Sequence, residues 1–295
     1  MKILVTGGHG QLGGELARLL GAEAVAMDVD QLDLTQVGIV RATLREIGPD
    51  AVINCAAYTH VDNAEAEAGR CRKINALAVE HLAGVCAELD CPLVQISTDY
   101  VFGDTPDRRE PRNEEQSPSP RGVYAQTKLE GERAAARHEK HLIVRTCGLY
   151  ARPTDERARN FVKTILLLGH RGRQLKVVDD QHCTPSYVPH VAAAVAFLAK
   201  AAVAGETPWG TYHVTNQGAT TWHDFAVEIL RRAGIEAAIE PISTAEYGAA
   251  APRPEYSVLD TAKYHGLGGP AMPDWKEALS QFFAEWALAR RRNGG

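Results

Sequence analysis

The chain has no stretch of about 18 consecutive apolar residues, so no segment reads as a membrane-spanning helix. It has no basic excess. Against 37 Asp and Glu it sets 32 Lys and Arg, a net charge of −5 with a pI near 6.1. A nucleic-acid partner needs a basic face and is not expected. There is no Cys-x-x-Cys pair and no Cys/His ligand cluster. Cys55, Cys71, Cys86, Cys91, Cys147 and Cys183 read as reduced, mostly buried thiols, and no metal site is expected. The opening Met-Lys-Ile-Leu-Val-Thr-Gly is too short for a signal peptide and runs straight into a turn, which leads to the expectation of a cytoplasmic protein. The one run of like charge, Arg290–Arg292, precedes Asn-Gly-Gly and reads as a frayed, solvated tail. No internal repeat is visible.

What is present is ordinary in bulk and ordered in pattern. The 295 residues, 45% hydrophobic and 23% charged, suit one large α/β domain or two modest ones. Short runs rich in Val and Ile at 2–6, 24–28, 50–54, 92–97 and 141–145 are apolar throughout, as strands are when helices cover both faces of a parallel sheet. Helical patterns lie between them, near 11–20, 35–47, 63–89 and 123–138. The alternation predicts an α/β fold with a Rossmann-like, doubly wound parallel sheet. Residues 103–122, with four Pro and many charges, form an expected long loop just before Tyr124, placed to edge an active site. Beyond 150 the rhythm changes, with helices near 158–169, 189–204, 221–233 and 274–291 and strands near 174–178 and 211–215. The expected division is a nucleotide-binding domain over 1–150, its sheet completed by a strand and helix within 174–204, and a mainly substrate-binding part over 151–295.

The first strand ends in T-G-G-H-G-Q-L-G, which places Gly7, Gly10 and Gly13 three residues apart between a strand and a helix. The first Gly permits a tight turn, the second lets a pyrophosphate approach backbone N–H groups, and the third lets the helix pack on the strand. Gln11, Leu12 and, beside Asp33, Leu34 complete the expected cofactor contacts. Asp28 stands 21 residues after Gly7, where a carboxylate binds the adenosine ribose 2′-OH. No Arg lies between 19 and 40 to hold a 2′-phosphate. NADH is therefore the expected cofactor, with NADPH as the alternative. Asp33 either reaches the adenine or caps the following helix.

V-Y-A-Q-T-K sets Tyr124 and Lys128 one helical turn apart. With nine Tyr and nine Lys, chance yields such a spacing in about one chain of this size in four. Beside a nicotinamide site the pair gains meaning. Ketone reduction needs a proton on oxygen, a free phenol has a pKa near 10, and an adjacent ammonium lowers it. The same Lys can hold ribose hydroxyls. A hydroxyl at a strand end can fix the substrate oxygen, and S-T-D-Y at 97–100 offers Thr98, with Ser97 second.

Five segments occur in order: G-G-H-G-Q-L-G (7–13), V-I-N-C-A-A-Y-T-H-V-D-N-A-E (52–65), S-T-D-Y-V-F (97–102), V-Y-A-Q-T-K-L-E-G-E (123–132) and R-P-E-Y-S-V-L-D (253–260). Together they resemble the extended short-chain dehydrogenase/reductases and, more closely, the dTDP-4-dehydrorhamnose reductase family, whose members complete dTDP-L-rhamnose for cell-wall polysaccharide. The resemblance covers almost the whole chain. It implies that Thr98, Tyr124 and Lys128 are the catalytic triad and that NADH delivers hydride to C4 while Tyr124 protonates the oxygen. It also implies that Ala56, Ala57 and Tyr58 lie beside the cofactor, that Asn75 supports the catalytic region, and that Asp99, Tyr100, Asn160 and Arg253 meet the nucleotide-sugar. A homodimer is a further implication.

Two departures fall in the expected substrate region. The family reads R-T-S-W-x-Y where this chain has R-T-C-G-L-Y, with Gly148 in the Trp position, and D-Q-x-G-x-P-T where it has D-Q-H-C-T-P-S, with Cys183 for Gly. Some members hold Mg2+ between subunits through carboxylates, but Val188–Val191 carries none, and His182 and His190 read as structural or surface residues. Three other readings stay open. They are a reductase giving another epimer such as a 6-deoxy-L-talose, a non-catalytic subunit like the regulatory β subunit of methionine adenosyltransferase, and a sugar epimerase that keeps its NAD bound.

Overall fold

The computed structural model describes residues 1–103, 109–172 and 174–293. Residues 104–108 of the expected loop and the terminal Gly294–Gly295 lie outside the described residues. The expected strands form one parallel sheet: β1 (Ile3–Thr6), β2 (Ala24–Met27), β3 (Ala51–Asn54), β4 (Leu93–Thr98) and β5 (His141–Thr146). A sixth strand, Gly210–His213, pairs parallel with β5, and the order across the sheet is β2-β1-β3-β4-β5 followed by this strand.

Alternation along each strand decides what each face buries. Ile3 and Val5 of β1, with Ile53, Val94, Leu142 and Val144, meet helix α1 (Gln11–Leu20) and the Ala-rich helix Val188–Ala204. Leu4, Val52, Leu93 and Ile143 face the other way. They meet α2 (Val37–Ile47), the helix Ala78–Glu88 and the end of the helix Gly122–Ala135. The sheet is thus covered on both sides, as the uninterrupted apolar strands require.

The strand expected to complete the sheet from within 174–204 does not join it. Leu175–Val178 pairs instead with Ile239–Ile242 in a separate two-stranded parallel sheet. The helix Val188–Ala204 is the crossover from β5, and the strand that follows it takes the sixth position. The expected helix over 63–89 is broken. Val61–Ala66 and Ala68–Arg72 precede a π-helical turn, Lys73–Leu77, before Ala78–Glu88. The second half builds its own core, where the helices Phe161–His170, Trp222–Ala233 and Trp275–Asn293 close around Tyr150, Tyr187, Phe225, Trp275 and Phe282. The last helix carries through Arg290–Arg292 to Asn293, so that run is helical in its backbone where a frayed tail was expected. Arg112 of the expected loop is pinned: its N–H donates to Val258 O at 2.9 Å and its O accepts from Asp260 N at 2.7 Å.

Candidate active site

In the order β2-β1-β3-β4-β5 the chain first adds β2 on one side of β1 and then β3 on the other. The crevice at that switch, outside the C-terminal strand ends, is where such sheets bind ligands. A cleft of about 860 Å3 opens there. Thr6, Thr98 and Thr146, the last residues of β1, β4 and β5, line it.

The glycine loop is shaped by contacts that leave no room for side chains. Gly7 has φ +66°, and a β-carbon there would fall 2.8 Å from the backbone N of Ala56. At Gly13 it would fall 2.2 Å from the O of Gly7. Helix α1 starts with Gly10 as its N-cap and no side-chain cap. Its first N–H groups, with the positive end of the helix dipole, are therefore presented to the cleft, and this cradle fits a dinucleotide pyrophosphate. Gln11, Leu12, Asp33, Leu34, Ala56 and Ala57 line the same cleft. Asp28 also lines it, and its Oδ2 accepts the His9 N–H at 2.7 Å, which ties β2 to the loop. Asp33 accepts the Thr35 N–H at 2.9 Å, and the Thr35 side chain first and this backbone bond second hold its carboxyl below the usual range. It lines the cleft but does not cap the following helix as expected, because α2 starts later, with Gln36 as its N-cap.

Thr98, Tyr124 and Lys128 come together on the cleft wall. The Thr98 hydroxyl donates to Asp99 Oδ1 at 3.1 Å and accepts from Tyr100 N at 3.2 Å. Ser97 is committed elsewhere: its hydroxyl donates to Glu132 Oε1 at 2.5 Å. Glu132 also takes a two-pronged bond from buried Arg145, at 2.9 and 2.7 Å. Tyr124 departs from the expectation that Lys128 lowers its pKa. Burial pushes the phenol up, a hydrogen bond with Thr98 opposes this, and the Asp99 charge adds to the rise. The Lys128 ammonium donates instead to Ile96 O at 2.7 Å. Burial lowers it to about 8 against the opposing pull of Glu132. A phenol held protonated is the state a proton donor needs.

Asp99 is buried in the cleft wall. Desolvation raises its carboxyl, while Ser257, Cys147 and Thr98 nearby work in the opposite direction. No group among the described residues makes a well-formed hydrogen bond to its Oδ2. Tyr100 meets Tyr124 edge-on, with ring centroids 6.0 Å apart. Gly148 lines the cleft as well, whereas Cys183 packs its thiol against that of Cys147.

Four expected site residues do not line the cleft. Tyr58 is buried with Ala64 and Cys71. Asn75, on the π-helical turn, holds both backbone groups of Tyr58, accepting from its N at 2.8 Å and donating to its O at 3.1 Å. Asn160 caps the helix Phe161–His170 and donates to Gln11 Oε1 at 3.0 Å. Arg253 forms a two-pronged pair with Asp62, at 3.0 and 2.8 Å. His182 meets Arg109 at 2.9 Å, and His190 meets Gln281 at 2.7 Å. The cleft also holds Arg157, Arg159 and Trp222, which the sequence reading missed. The two Arg sit in a loop whose sequence carries no motif. Trp222 opens an amphipathic helix, where an aromatic residue reads as core.

The match to known proteins is extensive. The family model described as "RmlD substrate binding domain" covers residues 1–288. A dTDP-4-dehydrorhamnose reductase of Streptomyces griseus is 39% identical, over 95% of this chain and 92% of its own. A Streptomyces antibioticus protein named "Probable dTDP-4,6-dihydroxy-2-methyloxan-3-one 4-ketoreductase" is 36% identical, over 97% and 95%. Among solved structures, the dTDP-4-dehydrorhamnose reductase of Bacillus anthracis in complex with NADP superposes with a TM-score of 0.89. It is 37% identical, over 97% of this chain and 100% of that one. With the fold, the glycine cradle and nearly every residue inside that match, the chain belongs to the dTDP-4-dehydrorhamnose reductase family.

Proposed function

We propose that the chain reduces the C4 ketone of dTDP-4-dehydro-β-L-rhamnose to dTDP-L-rhamnose, as a cytoplasmic homodimer. The observation that carries this reading is the gathering of Thr98, Tyr124 and Lys128 on the wall of the cleft that the glycine cradle opens into, with the half-buried Tyr124 phenol pushed toward its protonated form. A nicotinamide cofactor held by Gly7, Gly10, Gly13 and Asp28 supplies the hydride. Thr98 and Tyr124 take the ketone oxygen between them, and Tyr124 gives it the proton from its Oη. Lys128, still an ammonium below pH 8, lends positive charge as the phenolate forms. Asp99 and Tyr100 form the cleft wall on the sugar side, and Arg157 and Arg159 supply positive charge for the diphosphate. Asp28 and the lack of Arg between 19 and 40 favour NADH over NADPH.

The test is NADH oxidation by the purified chain with enzymatically prepared dTDP-4-dehydro-L-rhamnose, with the product identified by NMR and the subunit number measured by light scattering. Rhamnose is the expected product. Cofactor binding without NADH consumption refutes the reading. A second reading, another dTDP-4-keto-6-deoxy sugar as substrate, is favoured by Gly148 in the substrate region and would appear as a different epimer in the same spectrum.

A further inference from the structure

Gly148 follows β5 where the chain leaves the catalytic end of the sheet, with φ +53°. A β-carbon there would lie 3.1 Å from Cα of Pro185 and 3.1 Å from Cη2 of Trp222. The Pro185 atom is backbone and cannot swing aside, so a side chain at 148 needs the indole to give by a few tenths of an ångström and is strained by the positive φ as well. Trp222 is held in turn by Phe161, with ring centroids 4.7 Å apart, and by Phe225 at 6.4 Å. It is nevertheless only partly buried and lines the cleft that holds Thr98 and Tyr124. Apolar ring surface fixed in place on a catalytic cleft, with no polar partner asked of it, suits a ligand group that cannot hydrogen-bond.

We propose that Trp222 is the apolar seat for the C6 methyl and adjoining ring C–H groups of a 6-deoxy sugar, and that Gly148 is the vacancy that lets the indole occupy that position. The two form a specificity pair, which rests on the 4-keto-6-deoxy sugar reading above. Asp99 and Tyr100 then face the polar edge of the sugar, and Trp222 faces the edge without a hydroxyl. A substrate that keeps its 6-hydroxyl would bury that group against the ring without a partner and be disfavoured.

The experiment compares wild type with Trp222→Phe, Trp222→Ala and Gly148→Ala, using dTDP-4-dehydro-L-rhamnose and NADH. Thermal melting and NADH binding establish that each variant is folded. Trp222→Ala is expected to lower kcat/KM tenfold or more, chiefly through the KM for the sugar nucleotide, while the KM for NADH stays within about twofold. Trp222→Phe keeps the packing on Phe161 and loses less. Gly148→Ala shifts the indole by a few tenths of an ångström and raises the sugar KM in the same direction as Trp222→Ala, by less. Tryptophan fluorescence should change when dTDP-L-rhamnose is added to wild type, and the change should vanish in Trp222→Phe. Unaltered sugar KM in both Trp222 variants, with wild type turning over, overturns the proposal, as does a fluorescence change that persists in Trp222→Phe. A wild type that binds NADH but does not turn over refutes the underlying reading, and the specificity pair falls with it.

Discussion

Gly131→Ala adds one methyl group to the helix that carries the catalytic pair, and the structure gives that methyl nowhere to go. Gly131 shares a face with Tyr124 and Lys128, seven and three residues earlier. Its β-carbon would fall 2.1 Å from the backbone O of Asn75, with Val79 Cγ2 at 3.5 Å. Ordinary contact begins at 3.4 Å, so the helix Gly122–Ala135 and the π-helical turn Lys73–Leu77 must part by 3.4 − 2.1 = 1.3 Å. Neither backbone can yield alone. Asn75 holds the Tyr58 backbone through two hydrogen bonds, and the helix is fixed right beside Gly131 by the buried Glu132–Arg145 pair. Overpacking of this kind costs about 1–3 kcal/mol. A displacement near 1 Å at a catalytic group costs about 10²-fold in rate. The expected result is a melting temperature lowered by several degrees and kcat/KM lowered roughly a hundredfold, with NADH affinity less affected because the glycine cradle lies on α1. Gln126→Ala, exposed on the same helix, serves as the control and should change neither. Wild-type melting and turnover in Gly131→Ala would refute the claim that this contact sets the position of Tyr124.

Tyr124→Phe removes the proton donor and is expected to lower kcat by about 10² or more, with NADH binding nearly unchanged by fluorescence titration; persistent activity assigns the proton to another group. Lys128, lowered to about 8 by burial, loses its ammonium as pH rises through that value, so kcat/KM should decline on the alkaline side from about pH 8. Tyr124, pushed the other way, stays protonated there, and a profile flat to about pH 10 counts against Lys128. Asp28→Ala should reduce the ratio of kcat/KM for NADH over NADPH by about tenfold; an unchanged ratio means that the carboxylate serves only to hold the His9 N–H.

The sheet was readable because buried parallel strands have a strong signature: five short Val/Ile-rich runs became β1 to β5 within a residue or two. What escaped has weak signals. Leu149–Tyr150 with Ser186–Tyr187, and His182–Cys183 with Thr220–Thr221, are two-residue strands, too short for any period. The break in the 63–89 helix falls at Glu67, whose backbone leaves the helical region, and the helix that resumes passes through a π-helical turn at Lys73–Leu77; the apolar pattern continues across both. In the site, the glycine loop and the Thr98, Tyr124 and Lys128 positions were readable because strand ends and helix starts dictate where those side chains go. Asn160 and Arg253 were not, since an amide before a helix reads equally as a cap or a ligand contact, and the Asp62 partner of Arg253 lies 191 residues away. The direction of the Tyr124 shift was missed because burial, which sequence does not display, raises the phenol, and the Lys128 ammonium is turned to Ile96 O.

The residues outside the cleft explain how its two sides are joined. Gln11 Oε1, at the start of α1, accepts from Ala151 N at 3.1 Å and from Asn160 Nδ2 at 3.0 Å. One turn on, Glu15 takes Arg152 Nε at 3.0 Å, and the same guanidinium reaches Glu285 on the last helix at 2.5 Å. These bonds fasten both ends of the segment 151–160 to the cofactor helix, and between those ends Arg157 and Arg159 line the cleft. A largely buried Glu15 with two Arg partners is costly to break, because a lost partner leaves charge stranded away from water. The helix that opens the glycine cradle is therefore locked to the loop that brings Arg157 and Arg159 to the cleft. On the proposed reading, the spacing between the cofactor pyrophosphate and the sugar-nucleotide diphosphate is then set by covalent and hydrogen-bonded structure before either ligand arrives, which is the preorganisation a two-substrate hydride transfer requires.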